Sequence, residues 1–248
     1  MEVLRLAEDQ NARFDTEDHS AEELGDKIER VHKLLGREPR RILDIGGGNG
    51  RFLDAMLDAF PEAEGVNIDI SKLLLDANRP HPRKTVIHGA IESTPLPGTF
   101  DLITINFVLH HMVGRSYSAC RRNCMAILAA CRDALSPNGL IVVAEIMYDG
   151  VGDIPGRMIY NITRINNPLV TPITRKFFNT AGVGVCFRSE RAWRQLFGQV
   201  LHTRERALCT PWPMTVSRFL LLIIMMLRRQ RHAHFYLTSP AVAPGAPG

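Results

Sequence analysis

The stretch Arg41-Ile42-Leu43-Asp44-Ile45-Gly46-Gly47-Gly48-Asn49-Gly50 decides the fold. A short apolar run with an acidic residue inside it ends in a glycine-rich turn. Phe52, Leu53, Met56, Leu57 and Phe60 then recur at helical spacing. Strand, glycine turn and helix in that order open an α/β sheet, and backbone free of side chains lets a nucleotide-like ligand approach the start of the helix. A dinucleotide fingerprint GxGxxG counted from Gly46 needs glycine or alanine at position 51, where the chain has Arg51. Hydride transfer is therefore disfavoured.

The same rhythm continues outward. Pro61 ends the helix, and further strands are expected at Gly65 to Asp69, Thr85 to His88, Leu102 to Phe107 and Leu140 to Glu145, the last after the turn Ser136-Pro137-Asn138-Gly139. Strands alternating with helices predict an α/β, Rossmann-like, doubly wound and mostly parallel sheet covered on both faces. His202 to Cys209 and His234 to Thr238 would bring it to seven strands, with a helix from Ser189 to Phe197 before them. Ser20-Ala21-Glu22-Glu23 reads as a capping box opening a helix that carries Leu24, Ile28, Val31 and Leu35 and stops at Gly36.

The chain thus reads as one domain over 1–240. It has an N-terminal helical cap (1–36), a ligand-binding core (37–146), an insertion (147–187) and a closing part (188–240), with a disordered tail at 241–248. Ordinary α/β connections run roughly 2–6 residues, so the insertion is expected to act as a lid. The apolar segment Thr215 to Leu227 is expected to be a helix with Phe219 to Leu227 buried. Membrane-surface contact, the lining of a greasy substrate pocket and a homodimer contact are its other uses.

Composition narrows the function. Among 248 residues, 45% hydrophobic and 23% charged match a globular protein, and 30 basic against 26 acidic residues leave +4, too little to argue for a nucleic-acid partner. The apolar run from Phe219 to Leu227 is far shorter than the roughly 20 residues of a membrane span, and the start lacks a secretory signal. Five cysteines are an odd number without disulfide-framework spacing, so a reducing cytoplasm is expected. Cys120, Cys124 and Cys131 share a helix face with small apolar residues and read as core.

The ordered set of motifs resembles class I S-adenosylmethionine-dependent methyltransferases from about Arg41 to Asp149. It comprises Asp44 to Gly50, Asp69 at a strand end 19 residues after Gly50, Phe100-Asp101-Leu102-Ile103 through His110-His111-Met112, and Leu135 to Gly139. The resemblance implies S-adenosyl-L-methionine as cofactor and S-adenosyl-L-homocysteine as product. Gly46, Gly48 and Gly50 would pass the methionine moiety, Asp44 would orient its amino group, Asp69 would hold the ribose hydroxyls and Ile70 would pack on adenine. Ile91 and Asn106 complete the expected cofactor site. Where many relatives have aspartate after the third strand, this chain has Ala90, which leaves adenine recognition to backbone, to Ile91 or to a nearby polar side chain.

The end of the fourth strand, Asn106-Phe107-Val108-Leu109, lacks the Asn/Asp-Pro-Pro-aromatic signature of base amino-methylation and has no Pro-Cys nucleophile. Leu109-His110-His111 with Glu145 is similar to the catalytic region of plant-type O-methyltransferases. By that resemblance His110 is the base and Glu145 its partner, with His111 the substitute base. Imidazole, with an ordinary pKa of about 6.5, can accept a proton near neutrality. That family's second bracketing glutamate has no counterpart near Phe187-Arg188-Ser189. The same Leu-His-His also resembles quinone-biosynthesis C-methyltransferases. In the plainest reading the histidines satisfy backbone groups at a helix start. A metal shared with Glu145 and Asp149 is not expected, since adjacent histidines on an extended chain point to opposite faces. The expectation is a methyltransferase of a small, largely apolar molecule, at a hydroxyl or carboxyl oxygen and without a metal. C-methylation of a quinone or polyketide ring, and a non-catalytic cofactor-binding scaffold, are the alternatives.

Overall fold

The computed structural model describes residues 2–11, 13, 21–167, 169, 171–175, 179–209 and 226–240. Among them a seven-stranded sheet is formed by β1 (Arg41–Ile45), β2 (Glu64–Asp69), β3 (Lys84–His88), β4 (Phe100–Asn106), β5 (Leu135–Gly150), β6 (His202–Leu208) and β7 (Leu227–Thr238). Their order is β3-β2-β1-β4-β5-β7-β6. The first five are parallel, and β7 runs antiparallel to both neighbours. The chain winds outward from β1 to β3 and then returns to β4. The crevice between the ends of β1 and β4 is where open α/β sheets bind ligands.

The helices are α1 (Glu8–Asn11), α2 (Ala21–Leu35), α3 (Arg51–Ala59), α4 (Lys72–Asp76), α5 (Tyr117–Asp133), α6 (Ile154–Thr163), α7 (Thr171–Thr174) and α8 (Glu190–Phe197). Strand alternation sorts the sheet into two faces. Leu43, Ile45, Ile103, Ile105, Ile141 and Val143 pack against α5 and α8, while Ile42, Leu102, Leu140, Val142 and Tyr236 pack against α2 and α3. By the same alternation Asp44, Thr104 and Asn106 turn toward α2, as do His232 and His234, whereas Glu145 turns toward α5.

Four expectations change. Ser136 to Gly139 is a bulge inside β5 rather than a turn before it, since the register jumps from Phe100 opposite Leu135 to Leu102 opposite Leu140 with Asn138 at φ 62°. β5 runs on to Gly150, taking Met147 to Gly150 from the expected insertion. β7 begins at Leu227, so Leu227, Arg228, Arg229 and Arg231 are strand residues instead of a helix end and its flank. The two extensions stabilise each other: Met147 pairs with Arg231 and Asp149 with Arg229. Finally, Cys120 is joined in a disulfide to Cys186, 66 residues on, so it is not simply a small core residue, while Cys124 and Cys131 are buried free thiols. The rest of the expected apolar helix up to 225, Ser20 of the capping box and the tail 241–248 lie outside the described residues.

Candidate active site

Gly46 leaves β1 at φ 67°, a left-handed conformation, and a Cβ there would collide with the side chain of Val108. Gly47 has a different reason to lack a side chain: its Cβ would fill the space beside Oδ2 of Asp44. Asp44 is buried. Its Oδ1 accepts the Thr104 hydroxyl at 2.7 Å, while its Oδ2 has no hydrogen-bond partner among the described residues. Burial pushes the Asp44 pKa up to about 7, against the pull of the Thr104 bond and the Lys27 ammonium. A buried carboxylate oxygen facing an open cradle fits a donor brought by a ligand.

The loop is tied to the next strand. Gly48 donates its amide to Asp69 Oδ2 at 3.0 Å, and its carbonyl accepts from Asn78 at 2.7 Å and Asn67 at 3.2 Å; Gly50 caps α3. Oδ1 of Asp69 accepts the Ser71 amide at 2.7 Å, so each oxygen keeps acceptor capacity. Burial raises the Asp69 pKa despite those amides. Beside it Ile70 is 36% exposed, whereas Ile91 is buried in the cluster with Ile68 and Ile105. The N-terminal segment crosses this end of the sheet. Leu4 bridges to Val113, Arg5 pairs with Glu92, and Glu8 accepts the Ser71 hydroxyl at 2.7 Å.

Beyond β4 the chain reverses at Phe107, whose φ of 58° is costly for a bulky residue, and enters a single 3-10 turn, Leu109–His111. Glu145 is fully buried beneath this turn. Its Oε1 accepts the amides of Leu109 (2.7 Å) and His110 (3.3 Å), and its Oε2 accepts the Ile146 amide (3.2 Å) and lies 2.8 Å from His110 Nδ1. The ring of His110 is held between His111 and Phe187, at centroid distances of 4.2 and 4.9 Å. The expectation that the two histidines point apart fails because the segment is a turn, not an extended chain. Burial, then His110, push the His111 pKa well down, which keeps that ring neutral. Asp149 is not part of this group; it binds Arg231 Nε at 2.9 Å and the Glu190 amide at 2.8 Å.

Compared with known families, residues 8–161 match the model of the O-methyltransferase domain. The chain belongs to that family. Over 114 residues it is 30% identical to demethylspheroidene O-methyltransferase of Rhodobacter capsulatus, covering 46% of this chain and 27% of that protein. It is 31% identical over 134 residues to 3-amino-4-hydroxybenzoate 4-O-methyltransferase of Streptomyces cremeus, covering 51% of this chain and 34% of the relative. The matches thus span about a third or less of these two curated relatives. Among solved structures, the N-methyltransferase NodS of Bradyrhizobium japonicum in complex with S-adenosyl-l-homocysteine superposes with a TM-score of 0.55 at 13% identity, over 92% of this chain and 96% of that one. That likeness carries the fold.

Within this O-methyltransferase domain one buried polar residue beside the candidate site escaped the sequence reading. Lys27 of α2 is buried, donates to Asn106 Oδ1 at 2.9 Å and lies over the Phe52 ring at 4.6 Å. Burial lowers its pKa to about 8, against the pull of Asp44, Cys209 and Glu23. The signal was present: Lys27 interrupts the apolar stripe of Leu24, Ile28 and Val31.

Proposed function

We propose that this chain transfers the methyl group of S-adenosylmethionine to a hydroxyl oxygen of a small, largely apolar acceptor. When bound, the cofactor supplies a methyl activated on a sulfonium. Asp44 Oδ2 accepts the amino group of the methionine moiety, in the space that Gly47 leaves open. Asp69 offers the free lone pairs of both oxygens to the ribose hydroxyls while still holding Gly48 and Ser71. Ile70 covers one face of the adenine from the end of β2, with Ile91 behind it. Asn106, held by Lys27, borders the methionine moiety at the end of β4.

The observation that carries the reading is the His110–Glu145 pair. Three backbone amides fix the Glu145 carboxylate, and the carboxylate fixes His110 through Nδ1. Nε2 is then the nitrogen left to take the acceptor's proton, and Glu145 stabilises the imidazolium that forms. His111, neutral and half-buried, packs on that ring and shapes the pocket wall. The insertion brings Phe187 onto His110 and so excludes water from the base. Both relatives named above are called O-methyltransferases, which supports oxygen over carbon.

The test is formation of S-adenosylhomocysteine with a panel of phenols, alcohols and carboxylic acids, followed by NMR of the product. An O-methyl ether lost in His110→Ala is expected. A methyl on ring carbon would overturn oxygen transfer. Tight cofactor binding with no turnover on any acceptor would favour a scaffold.

A further inference from the structure

We propose a transition-metal site, with zinc as the fitting ion, at Glu23, Cys209 and His232, on the α2 face of the sheet and apart from His110 and Glu145. Glu23 comes from the first turn of α2, Cys209 follows β6, and His232 lies on β7 two residues before His234. One ligand atom each from Glu23, Cys209 and His232 lies within 4.8 Å of the other two. His232 Nε2 is 3.0 Å from Glu23 Oε1, and Cys209 Sγ is 3.6 Å from His234 Nε2. Tetrahedral zinc with N and O ligands at about 2.0–2.1 Å and S at about 2.3 Å puts its donors about 3.3 Å (N to O) and 3.6 Å (S to N) apart. The Glu23–His232 separation is close to such an edge, and the contact with His234 steadies the Cys209 thiol beside it.

The backbone explains why these residues meet. Cys209 donates its amide to the His232 carbonyl at 3.1 Å, which sets thiol and imidazole side by side at the end of the β6–β7 pair. His232 is buried, while Glu23 and Cys209 are half-buried. The mixture of thiolate, imidazole and carboxylate suits a borderline-soft ion and poorly suits magnesium or calcium.

The charges balance as well. A divalent ion is neutralised by one thiolate and one carboxylate, with the His232 imidazole neutral. The nearby Lys27 ammonium faces Asp44 as well as Cys209 and Glu23, and Asp26 adds a further negative charge facing Cys209. Binding releases the thiol proton to solvent and involves no redox step. An ion here would clamp α2 to the antiparallel edge of the sheet and so hold Lys27 against Asn106. With three protein ligands, the fourth tetrahedral position would be filled from solvent.

The full chain, treated with chelator, is dialysed against zinc alone and, separately, cobalt(II) alone as an optical probe. One zinc per chain is expected. A sulfur-to-cobalt charge-transfer band should vanish in Cys209→Ser and persist in Cys124→Ser, and zinc affinity should fall at least tenfold in His232→Gln. Where circular dichroism shows that His232→Gln has not folded, Glu23→Gln, on a half-exposed helix turn, is read in its place with the same expectation. Absence of stoichiometric zinc, or zinc bound with unchanged affinity and an unchanged cobalt spectrum in the variants, would overturn the site. Binding of S-adenosylhomocysteine is measured separately and bears on the proposed reaction alone.

Discussion

Two buried carboxylates stand at the same end of the sheet and face opposite ways. Glu145, toward α5, has both oxygens engaged by the chain itself: the amides of Leu109, His110 and Ile146, and Nδ1 of His110. Asp44, toward α2, has one oxygen engaged by Thr104 and the other without a hydrogen-bond partner among the described residues. Burial alone does not separate them, since both are essentially inaccessible. The number of local donors does. A carboxylate saturated by its own protein fixes a neighbouring group in place, whereas an under-satisfied one is a receptor for a donor from outside. Burial pushes its pKa up to about 7.

Substitutions at each site should break this contrast in different observables. On the Glu145 side, His110→Ala should lower single-turnover methyl transfer by about 10²–10⁴-fold and leave S-adenosylhomocysteine affinity unchanged, with Glu145→Gln acting in the same direction but less. Equal loss of affinity in calorimetry would erase the distinction between the two carboxylates. On the Asp44 side, Asp44→Asn should weaken S-adenosylhomocysteine by about 10–150-fold, the worth of a charged hydrogen bond of roughly 1.5–3 kcal/mol.

The pH dependence sharpens the comparison. The empty protein holds a proton on Asp44 below about pH 7, and an ammonium ligand must displace it. Affinity should therefore be flat above about pH 7 and fall by up to tenfold per pH unit below it, with proton release seen as a buffer-dependent binding enthalpy. The limb should be absent in Asp44→Asn; its survival there would assign it to another group. The smallest effect is expected in Thr104→Val, which removes the hydroxyl from Oδ1 and should move that limb upward by about half to one pH unit.

Much of this was legible in the chain because local pattern and tertiary structure agree. The run Ile42-Leu43-Asp44-Ile45 before three glycines has few outcomes other than a buried strand and a ligand loop, and the pairing of His110 with Glu145 followed from resemblance at adjacent strand ends. Lys27 was missed because a lysine on a helix is ordinarily solvated, and it takes partners from other elements, Asn106, Asp44 and the Phe52 ring among them, to make its burial tolerable. Cys186 was missed because a loop cysteine has no periodicity, and only the tertiary fold brings it to Cys120, 66 residues away in sequence. The long antiparallel pairing of β5 with β7 escaped for a similar reason. Arg228, Arg229 and Arg231 break every strand pattern, and the ion pair of Arg231 with Asp149, 2.8 Å apart, forms only once the strands are side by side.

Phe107 bears on how this protein would respond to selection for heat tolerance. Its left-handed backbone costs a phenylalanine on the order of 1 kcal/mol or more, a penalty that asparagine largely and glycine wholly escapes. Selection on melting temperature alone would favour Phe107→Asn at this hinge. The ring beside His232, 5.9 Å away between centroids, would go with it, along with the stiffness that aims Val108 at the glycine loop and His110 at its carboxylate. Heat resistance gained at this position should therefore come with slower turnover, so a variant library scored for stability and activity together should find the two in opposition here.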